Sequence, residues 1–95
     1  MTKVEMVRVR SAPETLKQVM PRVVEHVENL RSGMGPNTVE ILHHAKNQGD
    51  VVVFIFWGDD HDEEKSREGL LVTDILQEIG ATTHIVWLGN QMERR

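Results

Sequence analysis

Residues 38–58, TVEILHHAKNQGDVVVFIFWG, limit the fold more than any other part of the chain. They read as two β-strands joined by a polar turn at residues 46–50, about the usual length for a hairpin. The second strand, residues 51–57, is apolar on both faces. Such a strand does not suit a solvated sheet surface, because side chains alternate and one apolar row would face water. Each face needs a cover, and a chain of 95 residues has helix enough for one. The expectation is a sheet that packs on a second copy of itself. A chain this size is expected to form one domain over residues 1–95. It would bury only about 60–65% of its unfolded surface, so a partner subunit would add stability.

Residues 3–10 (KVEMVRVR) alternate as a strand. Val7 and Val9 share one face with Glu5, and Val4, Met6, Arg8 and Arg10 share the other. Ser11, Ala12, Pro13 and Glu14 have capping-box spacing, with Ser11 and Glu14 able to satisfy each other's backbone amides. Pro13 falls in the first turn, where its missing N–H costs little. Leu16, Val19, Met20, Val23, Val24, Val27 and Leu30 then recur at helical spacing. Pro21 predicts a kink in that helix, and Gly33 a stop. Residues 33–37 read as a loop.

Residues 38–45 fit two patterns. As a strand they put Val39, Ile41, His43 and Ala45 on one side and Thr38, Glu40, Leu42 and His44 on the other. As a helix starting at Pro36–Asn37 they would gather Val39, Leu42 and His43. That helix would leave a three-stranded, partly parallel α/β domain. The strand suits the turn that follows. Residues 58–62 form an acidic loop, and residues 63–79 a helix with Leu71, Val72, Ile75, Leu76 and Ile79 as its stripe, ended by Gly80. Gly69 weakens that helix by about 1 kcal/mol relative to Ala. Residues 82–88 (TTHIVWL) are the last strand, and residues 89–95 a frayed tail.

The order β-α-β-β-α-β with two one-faced helices is that of the ferredoxin-like α+β fold, a four-stranded antiparallel sheet with both helices on one face. The first and third strands are central, which suits residues 51–57. The other face keeps Val4, Met6 and alternate residues of 51–57, and a second sheet would cover it.

The hairpin TVEILHHAKNQGDVVVFIFW with tryptophan ending its second strand, the helix SREGLLVTDILQEIG and the closing strand TTHIVWLG resemble the dimeric α/β-barrel superfamily. That superfamily includes antibiotic-biosynthesis-monooxygenase-like proteins, stress-responsive barrel proteins and some polyketide cyclases. The likeness is one of layout and covers nearly the whole chain. It implies a homodimer and a pocket for an aromatic or polyketide-like compound. It also implies no required metal or flavin cofactor, with a few His, Trp, Asn, Tyr or Arg side chains at work. The chain has no tyrosine, so a phenolic partner is missing.

Other classes are disfavoured by composition. A net charge of −4 gives no general attraction to nucleic acid or anionic membrane, and the pairs Arg8/Arg10 and Arg94–Arg95 are too few for a phosphate track. The chain has no cysteine, which removes disulfides, thiolate nucleophiles and cysteine metal sites. No apolar run nears the ~20 residues of a membrane span, and the N-terminus does not resemble a signal peptide. A soluble cytoplasmic protein is expected. There is no phosphate-binding glycine loop. Ser11, Ser32 and Ser66 read as caps, turns or helix surface, not as nucleophiles.

The candidate chemistry sits on the strands. His43 and His44 are adjacent, so they point to opposite faces. His44 would lie on the inter-sheet side with Glu40 and Leu42 and could act as a general base. His84 shares a face with Val86 and Leu88 and could approach Arg8, the two together holding an anionic or enolic oxygen and moving a proton. Trp57 and Trp87 offer flat surfaces for an aromatic ligand, although core packing is the commoner use. Arg8 on a central strand needs a partner: Glu40 across an intersubunit interface, Glu5, or a ligand carboxylate. The expected catalytic set is therefore His44, His84 and Arg8, with Trp57, Trp87 and Glu40 as ligand contacts. Phe54 and Phe56 read as core or dimer interface, and His26 as solvated. Asp59, Asp60, His61 and Asp62 suggest a metal, but the spacing matches no calcium loop, and acids before a helix suit its dipole. No metal site is expected. The leading function is a cofactor-independent enzyme or binder for a hydrophobic small molecule. The alternative is a dimeric ligand-sensing module.

Overall fold

A computed structural model describes residues 2–32, 36, 38–58 and 64–89. Its elements are β1 (Thr2–Arg10), α1 (Pro13–Ser32), β2 (Thr38–His43), β3 (Asp50–Trp57), α2 (Arg67–Gln77) and β4 (Ala81–Gly89). The strands form one sheet in the order β2-β3-β1-β4, with every pair antiparallel. This is the ferredoxin-like β-α-β-β-α-β arrangement. Residues 38–43 are a strand paired to β3, which sets aside the helical reading and the three-stranded domain.

Alternation divides the sheet into two faces. Val7 and Val9 of β1, Val39 of β2 and Val51, Val53 and Ile55 of β3 are wholly buried under the helices. They meet Leu16, Val19, Val23 and Val27 of α1 and Val72 and Leu76 of α2 in one core. No helix among the described residues covers the other face. Its cross-strand rows run Thr38–Phe56–Val4–Trp87, Glu40–Phe54–Met6–Ile85 and Leu42–Val52–Arg8–Thr83, ending beside Asp50, Arg10 and Ala81. Phe54 and Phe56 stack there with ring centroids 6.1 Å apart.

Several local expectations change. Val24 and Leu71 fall outside the core and are exposed. In α2 the sheet-facing stripe is Gly69, Val72, Thr73 and Leu76, at i, i+3, i+4 and i+7. Residues 64–66 precede that helix, and Ser66 caps it by accepting from the Gly69 N–H at 2.9 Å. The Ser11–Glu14 capping box does not form. Leu16 N–H donates to Ala12 O, while the Ser11 N–H and hydroxyl both donate to Gly49 O at 2.8 and 3.1 Å. The start of α1 is thus tied to the β2–β3 turn. A Cβ at Gly49 would collide with the Ser11 carbonyl, so glycine is required there. α1 runs unbroken through Pro21. Gly89 belongs to β4, not to a tail. The expected stop at Gly33, the acidic run at residues 59–62 and the tail beyond residue 89 lie outside the described residues.

At the sheet edge, Arg31 donates from Nε and Nη2 to Val39 O at 3.1 and 2.6 Å. That occupies an edge-strand carbonyl which would otherwise be free to pair with another chain.

Candidate functional site

The functional groups fall into two clusters, one on each face of the sheet. On the helix face the register sets Lys3 opposite Trp57, Glu5 opposite Ile55 and Val86, and Val7 opposite His84. Glu5 is therefore diagonal to Trp57 across β3 and to His84 across β4. Diagonal neighbours on one face are within reach of long and aromatic side chains. The Trp57 Nε1–H donates to Glu5 Oε2 at 2.7 Å. His84 Nε2 lies 2.8 Å from Glu5 Oε1, and the Ser66 N–H donates to the same oxygen at 2.9 Å. The Lys3 ammonium lies 5.8 Å from the Trp57 ring centroid.

Burial makes this cluster costly unless it is satisfied. Glu5 is fully buried, and the His84 side chain is 3% exposed. Burial pushes the Glu5 carboxyl up, but hydrogen bonds from Ser66, Trp57 and His84 outweigh it and hold the group below its ordinary range. An ionised Glu5 only accepts, so His84 carries a proton on Nε2. In the neutral ring Nδ1 is then the basic nitrogen. It is buried and has no hydrogen-bond partner among the described residues. Gly69 makes the approach possible, because a Cβ there would lie 2.5 Å from Glu5 Oε1 and 2.7 Å from His84 Nε2. The result is a histidine held by a carboxylate at one nitrogen, with the other left to take a proton.

On the open face Arg8 donates to Asp50 through Nε at 3.1 Å and Nη2 at 2.7 Å. Arg10 Nε reaches the same carboxylate at 3.4 Å. The hydrogen bond from Arg8 holds the Asp50 carboxyl below its usual range against burial, with the Arg8 and Arg10 charges adding to it. His44 follows β2, and its Nδ1 accepts from the Lys46 and Asn47 N–H groups at 3.0 and 3.1 Å. Arg8, His43 and His44 line one groove of about 300 Å³ with Asp50, Met6, Leu42, Val52 and Phe54, so the adjacent histidines border the same space despite alternation.

The structure thus brings Arg8 and His44 together and separates both from His84. The expected Arg8–His84 pair does not form: Val7, not Arg8, shares the face of His84. Glu5 is excluded as the partner of Arg8 for the same reason. That partner is Asp50 of the same chain. Glu40 lies on the open face outside the groove lining. Trp57 is buried beside Glu5, whereas Trp87 is 56% exposed on the opposite face. His26 is half-buried, with Nε2 shielded and without a partner among the described residues, so it is not a solvated residue. Sequence reading missed Glu5 as a site residue, although an acid on the face of Val7 and Val9 was the available signal. Ser66, Gly69 and Asp50 had none beyond their places at a cap, a helix and a turn.

Among the described residues no group of three His, Asp or Glu side chains could hold a metal ion. The acidic run at residues 59–62 lies outside them. No helix among the described residues is long and apolar enough to cross a membrane.

Neither a protein-family model nor a curated protein matches this chain. Solved structures do. A conserved protein from Methanosarcina mazei Go1 superposes with a TM-score of 0.75 at 13% identity, over 95% of this chain and 94% of that one. A structure described as an antibiotic biosynthesis monooxygenase gives 0.71 at 17% identity, over 95% and 99%. SnoaB from Streptomyces nogalater, a cofactor-independent oxygenase, gives 0.56 at 18% identity, over 99% and 96%. The chain has the ferredoxin-like fold of the antibiotic biosynthesis monooxygenase-like structures.

Proposed function

We propose that this protein is a small-molecule enzyme in which His84 removes a proton from a hydrophobic, aromatic or polyketide-like compound. The observation that carries the reading is the buried His84 ring, tied to Glu5 through Nε2 and left with an unpartnered Nδ1. A buried polar atom without a partner is uncommon and points to an unmet role. In this mechanism Nδ1 takes the proton from an acidic C–H beside a carbonyl. The ring becomes an imidazolium, and Glu5 stabilises it without taking the proton itself. The likeness to SnoaB supports a cofactor-independent course. The electron-rich enolate reacts with dioxygen, a CH₂ becomes C=O, and the second oxygen atom leaves as water. The substrate supplies all the electrons, so the balance needs no other reductant. The open face, with Trp87 and Leu42 about half exposed, is covered by a second copy of the chain in this reading.

The test uses a panel of enolisable fused-ring ketones, followed by dioxygen uptake and by deuterium exchange at the acidic carbon. Wild-type protein is expected to accelerate both for at least one compound. His84→Gln should lose about 100-fold or more, the lower end of general-base contributions. Equal rates in His84→Gln, or no acceleration of either process by wild type, would refute the assignment.

A further inference from the structure

We infer that Trp57 is a positioning residue for the Glu5–His84 pair: its indole N–H holds one oxygen of the carboxylate and so turns the other towards His84 Nε2. This deepens the reading of His84 as the base and rests on that reading for any effect on rate. The hold on the histidine ring itself is independent of any reaction.

A glutamate carboxylate does not orient itself. Its last torsion is broad and two-fold, so either oxygen could face β4. In this chain the two oxygens have different partners on different elements. Oε1 accepts from the Ser66 N–H at 2.9 Å and meets His84 Nε2 at 2.8 Å. Oε2 accepts from the Trp57 Nε1–H at 2.7 Å. Bonds of this length to an ionised acceptor are among the stronger ones. β1 lies between β3 and β4, so Trp57 and His84 approach Glu5 from opposite sides. The carboxylate is held between them.

The indole suits this place. Trp57 is 8% exposed and joins a large apolar body to a single polar donor. The Lys3 ammonium, 5.8 Å from the ring centroid, is within cation–π reach, and tryptophan is the best ring for that contact. Lys3 thus holds the face of the ring while Glu5 holds its N–H edge. A phenyl ring would fill most of the same space and offer no donor. Oε2 would then lose its indole bond in a buried site, and the carboxylate could turn or take up a proton there. Either change weakens the acceptor at His84 Nε2. The ring proton of neutral His84 would divide between Nε2 and Nδ1. A neutral ring with its proton on Nδ1 cannot take another at that nitrogen. Trp57 therefore sets, through Glu5, how much of His84 has Nδ1 ready to act.

The experiment is nitrogen-15 NMR of the full chain at a pH where the His84 ring is neutral, which reads directly which ring nitrogen carries the proton. Wild type is expected to show a protonated Nε2 and a bare Nδ1. Trp57→Phe should draw the two nitrogen shifts together, whereas a loss of packing alone would leave them apart. Unchanged shifts in that variant would overturn the inference. Should Trp57→Phe not fold, Glu5→Gln gives a second readout. The Trp57 indole proton should move upfield, with the Trp87 indole, exposed on the opposite face, as the fixed control. An unmoved Trp57 proton would overturn the inference equally. For any ketone that wild type enolises, Trp57→Phe should lose about 10–100-fold in kcat, the usual cost of removing such a supporting partner, with KM little changed. If wild type enolises none, the assignment of His84 as the base fails, and the nitrogen shifts still decide whether Trp57 orients the pair.

Discussion

Replacing Gly69 by Ala sets two effects of opposite sign against each other. Helix propensity favours the change by at most about 1 kcal/mol, because Ala loses less backbone freedom than Gly. Packing opposes it. The new methyl would lie 2.5 Å from Glu5 Oε1, 2.7 Å from His84 Nε2 and 2.8 Å from His84 Cε1. Neither neighbour can give way easily. Glu5 is fully buried and holds Trp57, Ser66 and His84 by hydrogen bonds. Overpacking of this kind costs about 1–3 kcal/mol. If the methyl also parts His84 from Glu5, a charge-assisted hydrogen bond worth about 1.5–3 kcal/mol is lost. The net expectation is destabilisation of about 2–4 kcal/mol, against a total of about 5–15 kcal/mol for a domain. Urea unfolding followed by circular dichroism should show a lower midpoint with an unchanged slope. A midpoint that rises, as propensity alone requires, would refute the close seating of α2 on the Glu5–His84 pair.

Acid should destabilise the fold through two carboxylates. Glu5 and Asp50 have folded-state values below their ordinary 4.5 and 3.8. Depressed carboxylates contribute stability that is complete above the unfolded value and is lost as pH falls through the folded one. Urea midpoints should therefore be flat above about pH 5 and fall below about pH 4.5, with Glu5→Gln reducing the slope; an identical slope in that variant would exclude Glu5 as a contributor. Trp87→Arg, at an exposed site on the open face, should reduce the mass measured by light scattering from that of a pair to that of one chain. A wild-type mass of one chain at every concentration, or a variant that stays paired, would show that this face does not join two copies.

The local pattern of the chain was sufficient for the layout. Alternation in residues 3–10 separates Val7 and Val9 from Val4 and Met6, and this is the division between core and open face. The apolar spacing of Leu16, Val19, Val23 and Val27 marks the buried side of α1. The polar turn after His44 marks the hairpin. These are properties of backbone periods of 2 and 3.6 residues, which any short window carries. They also explain why boundaries shifted at α2: Ser66 acts as a cap only once the Glu5 carboxylate accepts its N–H from another element.

The sites were decided by register and strand order. Glu5 and His84 are 79 positions apart, Glu5 and Trp57 are 52 apart, and Arg8 and Asp50 are 42 apart. Alternation had already placed Glu5 with the core valines, but an acid at such a position becomes intelligible only when its three donors arrive from β3, β4 and the N-terminus of α2. Arg8 and His84 could be imagined together until Val7, rather than Arg8, took the position opposite His84. A shift of one residue in that pairing would exchange the faces and rebuild both clusters. The sequence by itself determined the elements and which side of each is apolar, because those depend on neighbours along the chain. Which charges meet depended on contacts that only the assembled sheet creates.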